Sequence, residues 1–159
     1  MSEYSVRPIG QVHNQRSDPQ LTDFWADVQS TITLEQRFGD QALQGLDGFS
    51  HVEVIYLFHL TQERADFVTP QHSRGRAELP KVGVFAGRGP NRPNRIGVTT
   101  CEIVRVGDRE LVVRGLDATD GTPVLDIKPA MREFGRSDVR QPDWVADLMQ
   151  DYFRTEPQP

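Results

Sequence analysis

Gly97-Val-Thr-Thr-Cys-Glu-Ile-Val-Arg-Val106, then Gly107-Asp108, then Arg109-Glu-Leu-Val-Val-Arg-Gly115 is the stretch whose reading decides the fold. Two runs rich in β-branched residues flank a Gly-Asp pair, a two-residue connection of the kind tight hairpins use. Directly before them lies Gly83-Val-Phe-Ala-Gly-Arg-Gly-Pro-Asn-Arg-Pro-Asn-Arg-Ile-Gly97, with four glycines, two prolines, three arginines and two asparagines. Glycine and proline weaken regular elements, so this segment is a loop. In the common nucleotide-binding folds such a loop opens a helix or carries Gly-Lys-Ser/Thr. Here it opens a strand, and both of those folds are disfavoured.

Working outward, the remaining strand candidates are Tyr4–Val12, Ser30–Leu34, Val52–Leu60 and Thr122–Lys128. Val52–Leu60 is nearly all apolar and predicts a central strand covered on both faces. Asp40–Leu46 reads as a short helix closed by Asp47-Gly48, and Asp23–Gln29 as a turn of helix or a loop. Gln62–Pro80 is a long polar loop, a length that points to function or disorder. Pro142–Phe153 predicts the one helix, with Trp144, Val145, Leu148, Met149 and Tyr152 on one stripe. The tail Thr155–Pro159 is expected to fray. Short, regularly spaced strands with one terminal helix predict a mostly β protein. We expect one small β-barrel domain over residues 1–159, with its core at 4–130, short helices, and a C-terminal helix at about 142–153.

The chain has 159 residues, 36% hydrophobic and 26% charged, which suits one globular domain with a full core. No apolar run has the roughly 18 residues of a membrane span. The start shows no signal-peptide pattern, and Cys101 is the only cysteine, so a cytoplasmic location is expected. Net charge is -5. From Arg74 to Arg95, however, Arg74, Arg76, Lys81, Arg88, Arg92 and Arg95 face only Glu78, giving +5 locally and -10 elsewhere. A concentrated cationic loop suits an anionic or polar ligand.

Asp117-Ala-Thr-Asp-Gly-Thr122 is either a plain turn or a set of donors and acceptors for a ribose or amino group. Asp126 and Lys128 share a strand face and read as an ion pair. His51 and His59 stand at the two ends of one strand, too far apart to share a metal, and no metal site is expected. Cys101 lies in a β pattern and reads as buried and inert.

Four segments together resemble the TsaA-like (TrmO) family, whose best-known members are S-adenosylmethionine-dependent tRNA methyltransferases. They are Pro8-Ile-Gly10, Leu46-Asp-Gly-Phe-Ser-His51 with Phe58-His59, the loop Gly83–Gly97, and Leu116-Asp-Ala-Thr-Asp-Gly-Thr-Pro-Val-Leu-Asp-Ile-Lys-Pro129. The resemblance implies a β-barrel that binds S-adenosyl-L-methionine, and a homodimer with its interface near the cofactor. It implies methylation of the exocyclic amine of threonylcarbamoyl-adenosine at position 37 of tRNA. Carried over by motif, cofactor contacts fall to His59, Leu60, Arg88, Asp117, Thr119, Asp120, Gly121 and Thr122. Trp25 stands where the family has an early cofactor segment, as a stacking surface for the adenine or as core. Candidate bases are Asp126 and His51, with His59 beside them. Arg92, Asn94, Arg95 and Lys128 are candidates for the acceptor.

The chain departs from the family pattern at Gly87, Gly89 and Arg95, where Thr, Ser and Pro are usual, and at Ala130, where Tyr is usual. Longer members also carry a C-terminal domain that helps hold tRNA, and the sequence is expected to lack it. The alternatives are a methyltransferase for a small molecule or another RNA, and a non-catalytic S-adenosylmethionine-binding protein.

Overall fold

A computed structural model describes residues 2–62, 64 and 66–157. The barrel strands are β1 (Gly10–His13), β2 (Gln29–Leu34), β3 (His51–Leu57), β6 (Ile96–Val106), β7 (Glu110–Arg114) and β8 (Pro123–Pro129). A two-stranded ribbon, β4 (Gln71–His72) with β5 (Lys81–Val82), interrupts the long polar segment between β3 and β6. The barrel order is β1-β2-β7-β6-β3-β8, and β8 closes it by pairing antiparallel with both β3 and β1. Closure gives every barrel strand a neighbour on each side and so removes the sheet edge.

Alternation follows the pleat. Along β3 the inward residues Val52, Val54 and Tyr56 are buried, while Glu53, Ile55 and Leu57 are half-exposed. The expectation that this strand is covered on both faces is corrected, because among the described residues no layer buries the outward side chains Glu53, Ile55 and Leu57. Val12, Ile32, Leu111, Val113, Leu116 and Val124 complete the interior and are fully buried. Cys101 is 2% exposed inside this core, and burial pushes its thiol up to about 12, so it is inert as expected.

The hairpin of the opening stretch forms one residue later than expected. Gly107 N donates to Glu110 O at 2.7 Å, so the connection is Asp108-Arg109. None of these residues has positive φ, so the turn does not use glycine's left-handed freedom. A bulge at Val104, between the pairs Ile103–Val113 and Arg105–Val112, takes up the extra residue.

Other boundaries differ for local reasons. The first strand begins at Gly10, because β2 ends opposite it at Leu34, and Tyr4 and Val6 remain exposed. Asp40–Leu46 makes turns, and left-handed Gly45 leads into a 3-10 turn at Leu46–Gly48. The C-terminal helix is only α1 (Asp143–Leu148), with no buried residue, because the chain beyond it bonds to another segment. Asp151 O and Tyr152 O accept from Phe24 N and Trp25 N, each at 2.9 Å. In the expected loop Gln62–Pro80, Glu63 and Ala65 lie outside the described residues, as do Gln158 and Pro159 of the expected frayed tail.

Gly10 marks the closest approach of two strands. A Cβ there would stand 2.4 Å from Thr33 O, which is backbone and cannot turn away. Gly89, by contrast, has nothing within 4 Å. We expect Gly10→Ala to destabilise the fold by about 1–3 kcal/mol, as overpacking does. Gly89→Ala should stay within about 0.5 kcal/mol of wild type. Urea unfolding of both variants measures the contrast.

Candidate functional site

β3 stops at Leu57, β7 stops at Arg114 and β8 starts at Pro123 at the same end of the barrel, called the upper end here. Left-handed Gly115 turns the chain out of β7, and Leu116–Thr122 crosses over to β8. Asp117 lies at the centre of this crossing. Its Oδ1 accepts from Tyr56 Oη at 2.9 Å and from Thr99 Oγ1, and its Oδ2 accepts from Tyr152 Oη at 2.5 Å. A carboxylate held by three hydroxyls is oriented before any ligand arrives. Burial, then the Asp117 charge, push the Tyr56 and Tyr152 phenols above their ordinary range, so both stay protonated and donate.

The room for this arrangement comes from Gly97, opposite Tyr56 in the β3–β6 register. A Cβ at Gly97 would stand 2.5 Å from the Tyr56 ring. Phe58 packs edge-on to the same ring, with centroids 5.3 Å apart.

Asn14 anchors the other side of the crossing. Its Nδ2 donates to Ser30 Oγ and to Ala118 O, both at 2.8 Å, and its backbone N donates to Asp120 Oδ1 at 3.1 Å. Gly121 is left-handed, and its N donates to Val12 O at 2.8 Å. Thr119 and Thr122 hydroxyls stand 3.4 Å apart. Gln11 Nε2 donates to Gly121 O at 3.0 Å, and a Cβ on Gly121 would come within 3.7 Å of both Gln11 Nε2 and His59 Nε2. Partial burial holds the His59 imidazole below its ordinary value. His59, Asp117, Thr119, Asp120, Gly121 and Thr122 are therefore brought together, with Leu60 exposed beside them.

Arg88 joins this end through its Nη2, which donates to Val98 O at 2.6 Å, and its charge reaches the Tyr152 phenol. Val98 is on the part of β6 that β7 does not pair.

The other arginines make contacts within the chain. Arg92 Nη1 donates to Gly87 O at 3.2 Å and Gly89 O at 3.4 Å, holding the glycine turn shut. Arg95 Nη1 donates to Thr61 O at 3.0 Å, and its own carbonyl accepts from Phe58 N at 2.8 Å. Arg95 has φ 50, which proline cannot adopt. The departure from the family pattern at this position is thus a change of backbone as well as of side chain. Arg74 and Arg76 are paired with Asp23 at 3.0 Å and Glu78 at 2.6 Å. Asn94 is exposed at the loop turn.

The remaining candidates decide one open alternative, correct one reading and bear out another. Trp25 is 3% exposed, its Nε1 donates to Thr22 O at 3.2 Å, and the Arg16 guanidinium lies 4.5 Å over its ring. It is core, with a ring face already covered, and does not offer a stacking surface. His51 and His59 are not the two ends of one strand, because β3 ends at Leu57 and Phe58-His59 turn away. His51 stands at the lower end, its Nδ1 2.8 Å from Ser50 Oγ and about 20 Å along the strand from Leu57, where β3 reaches the upper end. Asp126 faces a cleft at the lower end with Phe38, Leu46 and Ile127, and pairs with Lys128 at 2.5 Å, as the sequence predicts. Among the described residues, no three His, Cys, Asp or Glu side chains gather as a metal site.

Sequence reading missed Tyr56, Thr99 and Asn14, and took Tyr152 for one member of an apolar stripe. Tyr56 and Thr99 sit at inward positions of β3 and β6, where a sequence pattern registers size and apolarity. Only the register brings their hydroxyls to Asp117.

The tRNA-methyltransferase O N-terminal domain model matches residues 10–136. A protein of Methanothermobacter thermautotrophicus described as a probable S-adenosyl-L-methionine-binding protein is 39% identical over 130 residues, covering 80% of this chain and 90% of its own length. A mouse tRNA (adenine(37)-N6)-methyltransferase is 38% identical over 98 residues, 60% of this chain and 22% of its own. The crystal structure of TrmO from Pseudomonas aeruginosa superposes with a TM-score of 0.73 at 29% identity, covering 91% of this chain and 62% of that one. The chain thus spans less than two thirds of the solved relative. On the strength of the matched domain and the shared barrel, the chain belongs to the tRNA-methyltransferase O (TsaA-like) family.

Proposed function

We propose that the upper end of the barrel binds S-adenosyl-L-methionine, and that the protein methylates the exocyclic amine of threonylcarbamoyl-adenosine at position 37 of tRNA. The observation that carries the reading is the Asp117 carboxylate, held by Tyr56, Thr99 and Tyr152 beside the Thr119–Thr122 turn, His59 and Arg88. This donor set fits the cofactor's polar ends. Asp117 and Asp120 suit an ammonium and ribose hydroxyls, Arg88 suits a carboxylate, and left-handed Gly121 keeps a Cβ out of the turn. Relatives described as S-adenosyl-L-methionine-binding and as tRNA methyltransferases support the same cofactor and acceptor class.

The cofactor, when bound, supplies an activated methyl group on a sulfonium. The chain supplies alignment, which is worth about 7–11 kcal/mol in favourable cases. An amine conjugated to a carbamoyl group must lose a proton as it attacks. Of the candidate bases Asp126, His51 and His59, His59 stands beside the Thr119–Thr122 turn, and partial burial favours its neutral form. His51 and Asp126 lie toward the lower end, where they would serve only an acceptor reaching along the barrel. A homodimer completes the proposal, with Ile55, Leu57, Ile96 and Val98 as an apolar outer face near Arg88.

One observation favours a different acceptor within the same chemistry. Arg92 and Arg95, the acceptor candidates of the loop, spend donors on carbonyls of Gly87, Gly89 and Thr61. Labelled methyl transfer to threonylcarbamoylated tRNA tests the acceptor directly. We expect transfer by wild type and a drop of at least about tenfold in Arg88→Ala, the loss of one charge-assisted contact. No transfer to any tRNA, with intact cofactor binding, would favour a smaller acceptor. Tight RNA binding that falls steeply with salt would count against that smaller acceptor.

His59 gives a pH test. Its folded value lies below 6.5 because burial disfavours the charged ring. The folded state therefore binds this proton less well than the unfolded state. Its contribution to stability is complete above about 6.5 and declines as pH falls toward the folded value. Imidazole resonances followed by NMR should show a midpoint below 6.5, and methyl transfer should fall on the acid side at the same pH.

A further inference from the structure

The family match ends at residue 136, yet a side chain well beyond it reaches the centre of the candidate site. Tyr152 Oη donates to Asp117 Oδ2 at 2.5 Å. Asp117 Oδ1 already accepts from Tyr56 and Thr99, both inside the barrel. A carboxylate offers about two acceptor positions on each oxygen. Oδ2 is therefore the oxygen with capacity for one more donor, and Tyr152 holds it.

The segment that carries Tyr152 is built for this contact rather than for the core. Its helix α1, Asp143–Leu148, has no buried residue. Its attachments cluster instead at Asp151 and Tyr152, whose carbonyls accept from Phe24 and Trp25. Arg74 lies 5.3 Å over the Tyr152 ring and pairs with Asp23 at 3.0 Å. Phe24 and Arg74 both have left-handed backbones, with φ 64 and φ 53, a conformation side-chain-bearing residues seldom adopt. Backbone strain of this kind persists where the surroundings over-determine it, and it gathers at functional sites. Here one such residue bonds to Asp151 and the other lies over the Tyr152 ring.

We infer that Tyr152 is a positioning residue of the cofactor site, holding Oδ2 of Asp117 so that its remaining lone pair meets a hydrogen-bond donor of the cofactor. The inference rests on the upper end being the S-adenosyl-L-methionine site. It makes the C-terminal segment part of that site, although the segment lies outside the matched domain.

Tyr152→Phe removes only the hydroxyl and leaves the ring beneath Arg74 and the backbone bonds to Trp25 in place. Calorimetric titration of the 159-residue chain with S-adenosylhomocysteine gives the test. We expect Tyr152→Phe to bind about tenfold more weakly than wild type, the effect of one hydrogen bond to a charged group. In the Asp117→Asn background, adding Tyr152→Phe should change affinity less than about twofold, because the two act through one contact. Wild-type binding with an unaffected Tyr152→Phe overturns the positioning role alone. An equal loss in both backgrounds also overturns it, since Tyr152 would then act through something other than Asp117. No binding by wild type overturns the cofactor reading and this role with it.

Discussion

β8 carries the closure of the barrel. It pairs on one edge with β3 and on the other with β1, with a bulge at Leu125 of β8 opposite the Ile55–Tyr56 step of β3. Antiparallel register admits no half measures, because a slip of one residue turns every side chain to the other face. Val124 and Ile127 must point inward against Val54 and Tyr56 for the barrel to keep its core, and Asp126 and Lys128 must then point outward. The same constraint sets the start of β8 at Pro123. It forces the preceding crossing, Leu116 to Thr122, over the upper end. The candidate site is thus a consequence of how the barrel closes.

Asp117 shows how polar chemistry is built on an apolar interior. Leu116 and Ala118 on either side of it are buried and hold the backbone, and each such burial is worth on the order of 1–3 kcal/mol for the larger side chain. The carboxylate between them costs free energy to bury unless it is bonded. Three hydroxyls meet that need, from β3, β6 and the C-terminal segment. Their convergence ties two barrel strands and a distant segment to one side chain. Gly97 is the steric condition for it, since the Tyr56 ring occupies the space where a side chain would be.

The arginine-rich loop divides its charges by role. Arg74 and Arg76 are neutralised by Asp23 and Glu78, and Arg92 and Arg95 brace the loop through backbone carbonyls. A loop with four glycines and two prolines has few backbone bonds of its own, and guanidinium groups supply donors in their place. Arg88 also holds a carbonyl, that of Val98, and stands beside the Asp117 cluster. Of these arginines, Arg74 and Arg76 are the ones offset by carboxylates, while Arg88, Arg92 and Arg95 keep their charge and spend donors on carbonyls.

The β class, four of the six barrel strands to within about two residues, the buried and inert Cys101, the Asp126–Lys128 pair and the family were all legible in the amino-acid order. These rest on local signals, alternation, turn residues and near spacing, or on motifs long enough to be specific. The tertiary structure alone decided the rest. It turned Trp25 into core, cut the C-terminal helix to six residues, and ended β3 before His59. It also brought Tyr152 to Asp117 across 35 positions of chain and Asn14 to Ala118 across 104. No periodicity reports which hydroxyl meets which carboxylate. That is settled by strand register and barrel closure, which are properties of all six strands together.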